Sequence, residues 1–255
     1  AYPNSENICQ MSRIPITFMD SNYNKYKTFF IFNGDSASNM FTLPFKAKNV
    51  FLDMDEEIMD ITTDNYNIFK QDTLYTFPNT YFKANITNIN DSLLIRPTLH
   101  WIESDNNSLP NGINRISQKH YWTIEGVDMD KANIEGRFYY QTSMANNAFD
   151  NTLLNTPYAK DSLMLLYRPN REEQWVRIPI EKVVSSEGYV RTRYIFNGDY
   201  VMAIGDTNIV SLMDINDDKN IKIYPNPCKN IIKIETKELR GASIKIYDIE
   251  GKEMF

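Results

Sequence analysis

Histidine, cysteine and clustered carboxylates are the side chains that most readily hold metals, relay protons or attack substrates, and in this chain they are sparse and scattered. His100 and His120 are the two histidines of 255 residues. They lack the His-Glu-x-x-His spacing that sets two imidazoles on one helical face around zinc. Cys9 and Cys228 lie far apart in sequence, which makes neither a metal cluster nor a disulfide framework. Asp53, Asp55, Glu56, Glu57 and Asp60 crowd enough oxygen together to consider calcium, but the glycine and the spacing of a calcium loop are missing, so the segment reads as a solvated turn. Asp214-Ile215-Asn216-Asp217-Asp218 begins like an EF-hand loop, yet Lys219 stands at the glycine position and the stretch reads as a linker. No nucleophile motif is present either. The chain is therefore expected to catalyse nothing and to hold no metal or cofactor of its own.

Aromatic residues offer a different chemistry. His100 beside Trp101, and His120 beside Tyr121 and Trp122, could form a platform for carbohydrate or peptide. The plainer reading is strand aromatics packed into a core, and the same holds for Trp175.

These groups have to be positioned by an ordinary globular fold. The chain is 42% hydrophobic and 24% charged, and with 9 Gly and 11 Pro it has neither the bias of a disordered segment nor that of a low-complexity polymer. A net charge of -6 with a pI near 5.1 opposes binding to phosphate backbones and anionic lipid, so nucleic acid is not an expected partner. No apolar run approaches the roughly 20 residues of a membrane helix. Ala1-Tyr2-Pro3-Asn4 has neither the basic nor the apolar region of a leader, so a signal peptide is expected to have been removed or the sequence to begin inside a longer protein.

Short apolar runs alternate with Asn, Asp, Ser and Gly turn signals, and helical periodicity is scarce, which predicts an all-β protein. Strands are expected at 13–19, 27–32, 40–45 and 49–54, with a hairpin turn at Asn33-Gly34. A second set is expected at 72–77, 81–88, 92–101, 120–124, 136–142, 162–168, 174–180, 188–195 and 200–204, with 103–112 as a surface loop. The spacing implies β-sandwich architecture, with a β-sandwich over 1–62, a second over 63–206, a linker at 207–220 and a small β module at 221–255. The last module has too few residues to bury a core alone.

That module carries the most specific motif. Ile223-Tyr224-Pro225-Asn226-Pro227, the strand 231–234, and Ile244-Lys245-Ile246-Tyr247-Asp248-Ile249-Glu250-Gly251-Lys252 closely resemble the C-terminal sorting domain of type IX secretion substrates. The resemblance implies a protein secreted or held at the outer cell surface, with the secretion machinery as partner and Tyr224, Pro225, Asn226, Pro227, Gly251 and Lys252 as the sorting residues. Physically, the two prolines fix φ and remove backbone donors, so the chain enters the module extended. The family pattern continues with further strands and a basic tail, so the module here is expected to be truncated.

A looser resemblance covers more of the chain. Residues 14–60, with Phe41-Thr42-Leu43-Pro44-Phe45-Lys46 leading into Asn49-Val50-Phe51-Leu52-Asp53-Met54-Asp55, are similar to the immunoglobulin- or fibronectin-like β-sandwich that follows the catalytic domain of aminopeptidase N-like zinc metallopeptidases. His100-Trp101, 121–126, 165–168 and 198–204 are similar to segments that follow that sandwich in secreted members. This implies an accessory region whose own catalytic domain, with its zinc and general base, lies upstream. The alternative is a free-standing adhesin or glycan-binding sandwich bearing the same sorting tag, with Trp101, Trp122 and Trp175 at its contact surface.

Overall fold

A computed structural model describes residues 12–32, 37–105, 109–142, 148–154, 161–183, 188–205, 221–224 and 233–236. The chain divides into two compact units, Ala1–Asp206 and Thr207–Phe255. The expected boundary near Thr62 therefore falls inside the first unit.

The first unit opens with β1 (Ser12–Met19), β2 (Lys25–Phe32) and β3 (Asn49–Leu52), an antiparallel sheet in the order β2-β1-β3. Next come β4 (Thr62–Asp64), β5 (Asn67–Phe69), β6 (Thr73–Phe77), β7 (Phe82–Thr87), β8 (Leu93–His100), β9 (Ile113–Ile116) and β10 (Tyr121–Val127). A 3-10 turn, Met129–Lys131, leads to β11 (Asn133–Tyr139), β12 (Leu163–Arg168), β13 (Val176–Ile178), β14 (Glu181–Val183), β15 (Tyr189–Thr192) and β16 (Gly198–Gly205). An eight-stranded sheet runs β13-β12-β16-β10-β8-β4, with β5 also on β8 and β9 on β16, and a five-stranded sheet runs β14-β15-β11-β7-β6. The all-β, sandwich-like class read from the sequence holds.

Side-chain periodicity explains the layering. Along β7 every second residue is buried, and Phe82, Ala84 and Ile86 join Ile134 and Phe138 of β11 against the larger sheet. The larger sheet answers with Leu99, Trp122, Leu165, Tyr200 and Met202. Its central strands β8, β12 and β16 are buried along nearly their whole length, because both faces are covered. On the outer face Met19 and Phe51 from the N-terminal sheet, with Met54 from the turn after β3, pack on Leu94 and Val127.

Four short strands, β4, β5, β9 and β14, lie where the sequence predicts none, since three or four residues are too few to show an alternation. β4 and β5 share one register against β8, Asp64 opposite Thr98 and Asn67 opposite Ile95. The ladder breaks between them opposite Arg96 and Pro97, where proline has no N–H to give. Residues 40–45, predicted as a strand, are irregular instead. Pro44 cannot donate within a ladder, and the segment crosses the N-terminal sheet so that Phe41 meets Phe18 and Phe30, at 5.4 and 6.5 Å between ring centroids. The predicted turn at Asn33-Gly34 lies outside the described residues.

The second unit contains β17 (Ile221–Tyr224) and β18 (Lys233–Thr236), paired antiparallel with Ile223 opposite Ile234.

Candidate functional site

The acidic turn spends its carboxylates close to home. Asp53 accepts the backbone N–H groups of Glu57 and Ile58 at 2.8 and 3.0 Å, and Asp60 accepts that of Thr62 at 2.9 Å. Asp55 pairs with Lys27. Arg96 binds the turn to the sheet by contacting Asp64, the Asp53 carbonyl and, at 3.1 Å, Glu125. Burial raises the carboxyl pKa of both Asp64 and Glu125, against the pull of Arg96. Among the described residues no group of three or more His, Cys, Asp or Glu side chains could hold a metal.

The two histidines have different partners. His120 is fully buried and donates from Nε2 to Asp150 at 2.8 Å, while the other oxygen of Asp150 accepts the Gln141 N–H at 2.9 Å. His100 stacks on Tyr121, with 4.3 Å between centroids and an interplanar angle of 4°. Its Nε2 lies 2.9 Å from Thr123 Oγ1, which in turn gives its single hydrogen to Asp199 at 2.7 Å. His100 must then donate from Nε2, which settles its tautomer. Burial, opposed by Asp199, lowers its pKa to about 4, so the ring is neutral at pH 7.

The row continues from Asp199 to Arg168 and Asp105. Burial works against the Arg168 charge, but its bonds to Asp105 and Asp199 outweigh this and raise its pKa. The hydrogen bonds from Arg168 lower that of Asp105. Arg168 also lies 4.2 Å over the Trp175 ring. The row joins β8, β10, β16 and β12 across the outer face, which is why no local sequence signal announces it. Every member is matched to a neighbour, as a structural network requires.

The three tryptophans divide. Trp122 and Trp175 are core residues, 0% and 1% exposed, and the Trp122 indole donates to the Thr80 carbonyl at 2.7 Å. Neither belongs to a contact surface. Trp101 is half-buried and lines an open cleft of about 480 Å³ with Tyr81, Tyr139, Asn79, Lys83 and Gln141. The turn between β6 and β7 forms one rim, with Asn79 and Tyr81 both left-handed at φ 59° and 51°. Sequence reasoning selected Trp101 but missed the rest, because the cleft is assembled from β4, β7, β11 and the turns beside them.

Of the predicted sorting residues, Tyr224 closes β17 opposite Lys233. Pro225, Asn226, Pro227, Gly251 and Lys252 lie outside the described residues, as do Cys9, Cys228 and the stretch 214–219.

Residues 222–255 match the family model of the secretion system C-terminal sorting domain. The match covers the segment that carries the Tyr-Pro-Asn-Pro motif, and it marks the protein as a type IX secretion substrate, secreted or attached to the cell surface. The secretion machinery is accordingly a partner, and among the described residues no helix is long and apolar enough to cross a membrane. No curated protein and no solved structure matches the chain.

Proposed function

We propose that the chain is the non-catalytic C-terminal region of a secreted aminopeptidase N-like zinc metallopeptidase. Residues 1–206 would support the catalytic domain, and 221–255 carry the export signal. The observation that supports the non-catalytic reading is that the Nε2 atoms of both histidines are engaged inside the fold, His100 with Thr123 and His120 with Asp150, and that His120 is fully buried. The peptidase parent rests on the resemblance of 14–60 and of the short segments at 100–101, 121–126, 165–168 and 198–204. Zinc and its general base belong to the upstream domain in this reading. Sequencing the reading frame upstream of Ala1 tests it: a His-Glu-x-x-His segment is expected, and a signal peptide joined directly to Ala1 would overturn it.

One observation favours a second reading, a free-standing exported binding module. It is the open cleft at Trp101, since an aromatic wall beside neutral polar groups is what a ligand site needs.

A further inference from the structure

We infer that the cleft at Trp101 is a binding site for a neutral oligosaccharide. The inference deepens the binding reading above and is independent of the parent protein's identity.

The cleft is walled by aromatic rings that are held in place from behind. Trp101 meets Tyr81 edge to face at 5.9 Å and 89°, and Phe149 braces both, at 5.3 Å from Trp101 and 4.9 Å from Tyr81. The left-handed backbone of Tyr81 is a costly conformation for a bulky residue. It persists because the turn is pinned: the Thr80 carbonyl accepts the Trp122 indole, and the Thr63 hydroxyl donates to the Asn79 carbonyl at 2.9 Å. A corner of packed rings lining a cleft supplies the aromatic surface on which the C–H bonds of a pyranose can lie, and the packing limits the order lost on binding.

The rim sets the ligand's polarity. Asn79 and Gln141 have side-chain amides without a hydrogen bond to the described residues, and each supplies both donors and an acceptor. Those amides match hydroxyl groups, which also donate and accept. Among the described residues of the lining the one charged side chain is Lys83, whose ammonium lies 4.9 Å over the Tyr139 ring. With no carboxylate among the described residues of the lining, nothing there selects a cationic peptide, and the engaged lysine gives weak preference for an anionic one. Uncharged sugar rings fit both the aromatic wall and the amide rim.

The test uses the whole chain and cellohexaose, xylohexaose, mannohexaose, laminarihexaose and chitohexaose, each titrated to about 10 mM, above the roughly 1 mM of a weak site. Since Trp122 and Trp175 are sealed in the core away from ligand, a ligand-induced change in tryptophan fluorescence is assigned to Trp101, and Trp101→Ala should abolish it. A saturable change with at least one hexasaccharide is expected. By calorimetry, Trp101→Ala should weaken that binding about tenfold or more. Because Trp101 also packs on Phe149, two milder variants accompany it. Asn79→Gly keeps the left-handed turn while removing the amide, and Gln141→Leu removes the other amide; each should weaken binding with an unchanged melting transition. Binding that survives all three variants overturns this site while leaving the module a glycan binder. No response to any of the five sugars, or saturable binding of an uncharged hexapeptide instead, overturns the glycan assignment.

Discussion

Arg168 forks its two terminal nitrogens onto the two carboxylate oxygens of Asp105, at 2.7 and 2.8 Å, while its Nε donates to Asp199 at 3.0 Å. One side chain of β12 thus holds the loop after β8 and the central strand β16 together. The Arg168 side chain is 1% exposed and that of Asp199 9%. Replacing Arg168 with Leu leaves Asp199 with the Thr123 hydroxyl but without its cation, and breaking a buried pair in this way costs about 3–5 kcal/mol. Urea denaturation should show that loss, and Arg168→Leu combined with Asp199→Asn should recover part of it. A loss below about 1 kcal/mol would mean that water compensates Asp199.

His100 makes folding sensitive to mild acid. Its folded pKa is lowered from 6.5 to about 4, so the unfolded chain binds the extra proton within that interval. Its contribution is fully present above pH 6.5 and is lost as pH falls toward 4. Asp64 and Glu125 are shifted the other way, so their contributions are present at low pH and lost as pH rises through their folded pKa values. The urea midpoint should fall between pH 6.5 and 4.5, and His100→Gln should flatten that slope. An equal slope in both proteins would assign the acid sensitivity to other groups.

Gly198 begins β16 with φ at 142°, and a Cβ there would lie 2.3 Å from the Arg168 carbonyl oxygen. Both the backbone angle and the contact with main chain oppose a side chain. Gly198→Ala should cost about 1–3 kcal/mol or more, seen as a lower thermal midpoint. Gly198→Ala folding with wild-type stability would show that the β12–β16 pair can part at that end.

Phe51 is completely buried between the N-terminal sheet and the outer face of the larger one. Phe51→Ala should lose about 3–5 kcal/mol. One cooperative transition at a lower midpoint is expected, because Leu94 and Val127 belong to the same cluster as Phe51. Two separate transitions would make 12–52 an independent folding unit.

Deletion of 221–255 removes the segment that matches the sorting domain. In the native host the shortened protein should accumulate in the periplasm, detected by fractionation and immunoblot. Normal export of the deletion would show that 222–255 is dispensable for the route.

Local sequence by itself determined the β class, most of the strands, and the sorting tail. Period-two alternation such as Phe82, Ala84 and Ile86 is imposed by burial of one sheet face, and it is visible one strand at a time. The tail is a short contiguous motif, equally visible without a fold. Tertiary structure alone decided which polar residues meet. Nothing around Thr123 foretells that its hydroxyl bridges His100 and Asp199, because those residues come from three strands joined only by register. The same reason separates Trp101, at the cleft, from Trp122 and Trp175, in the core. Three residues of one type diverge because burial depends on which sheets and loops close over each position, and that is settled by contacts distant in sequence.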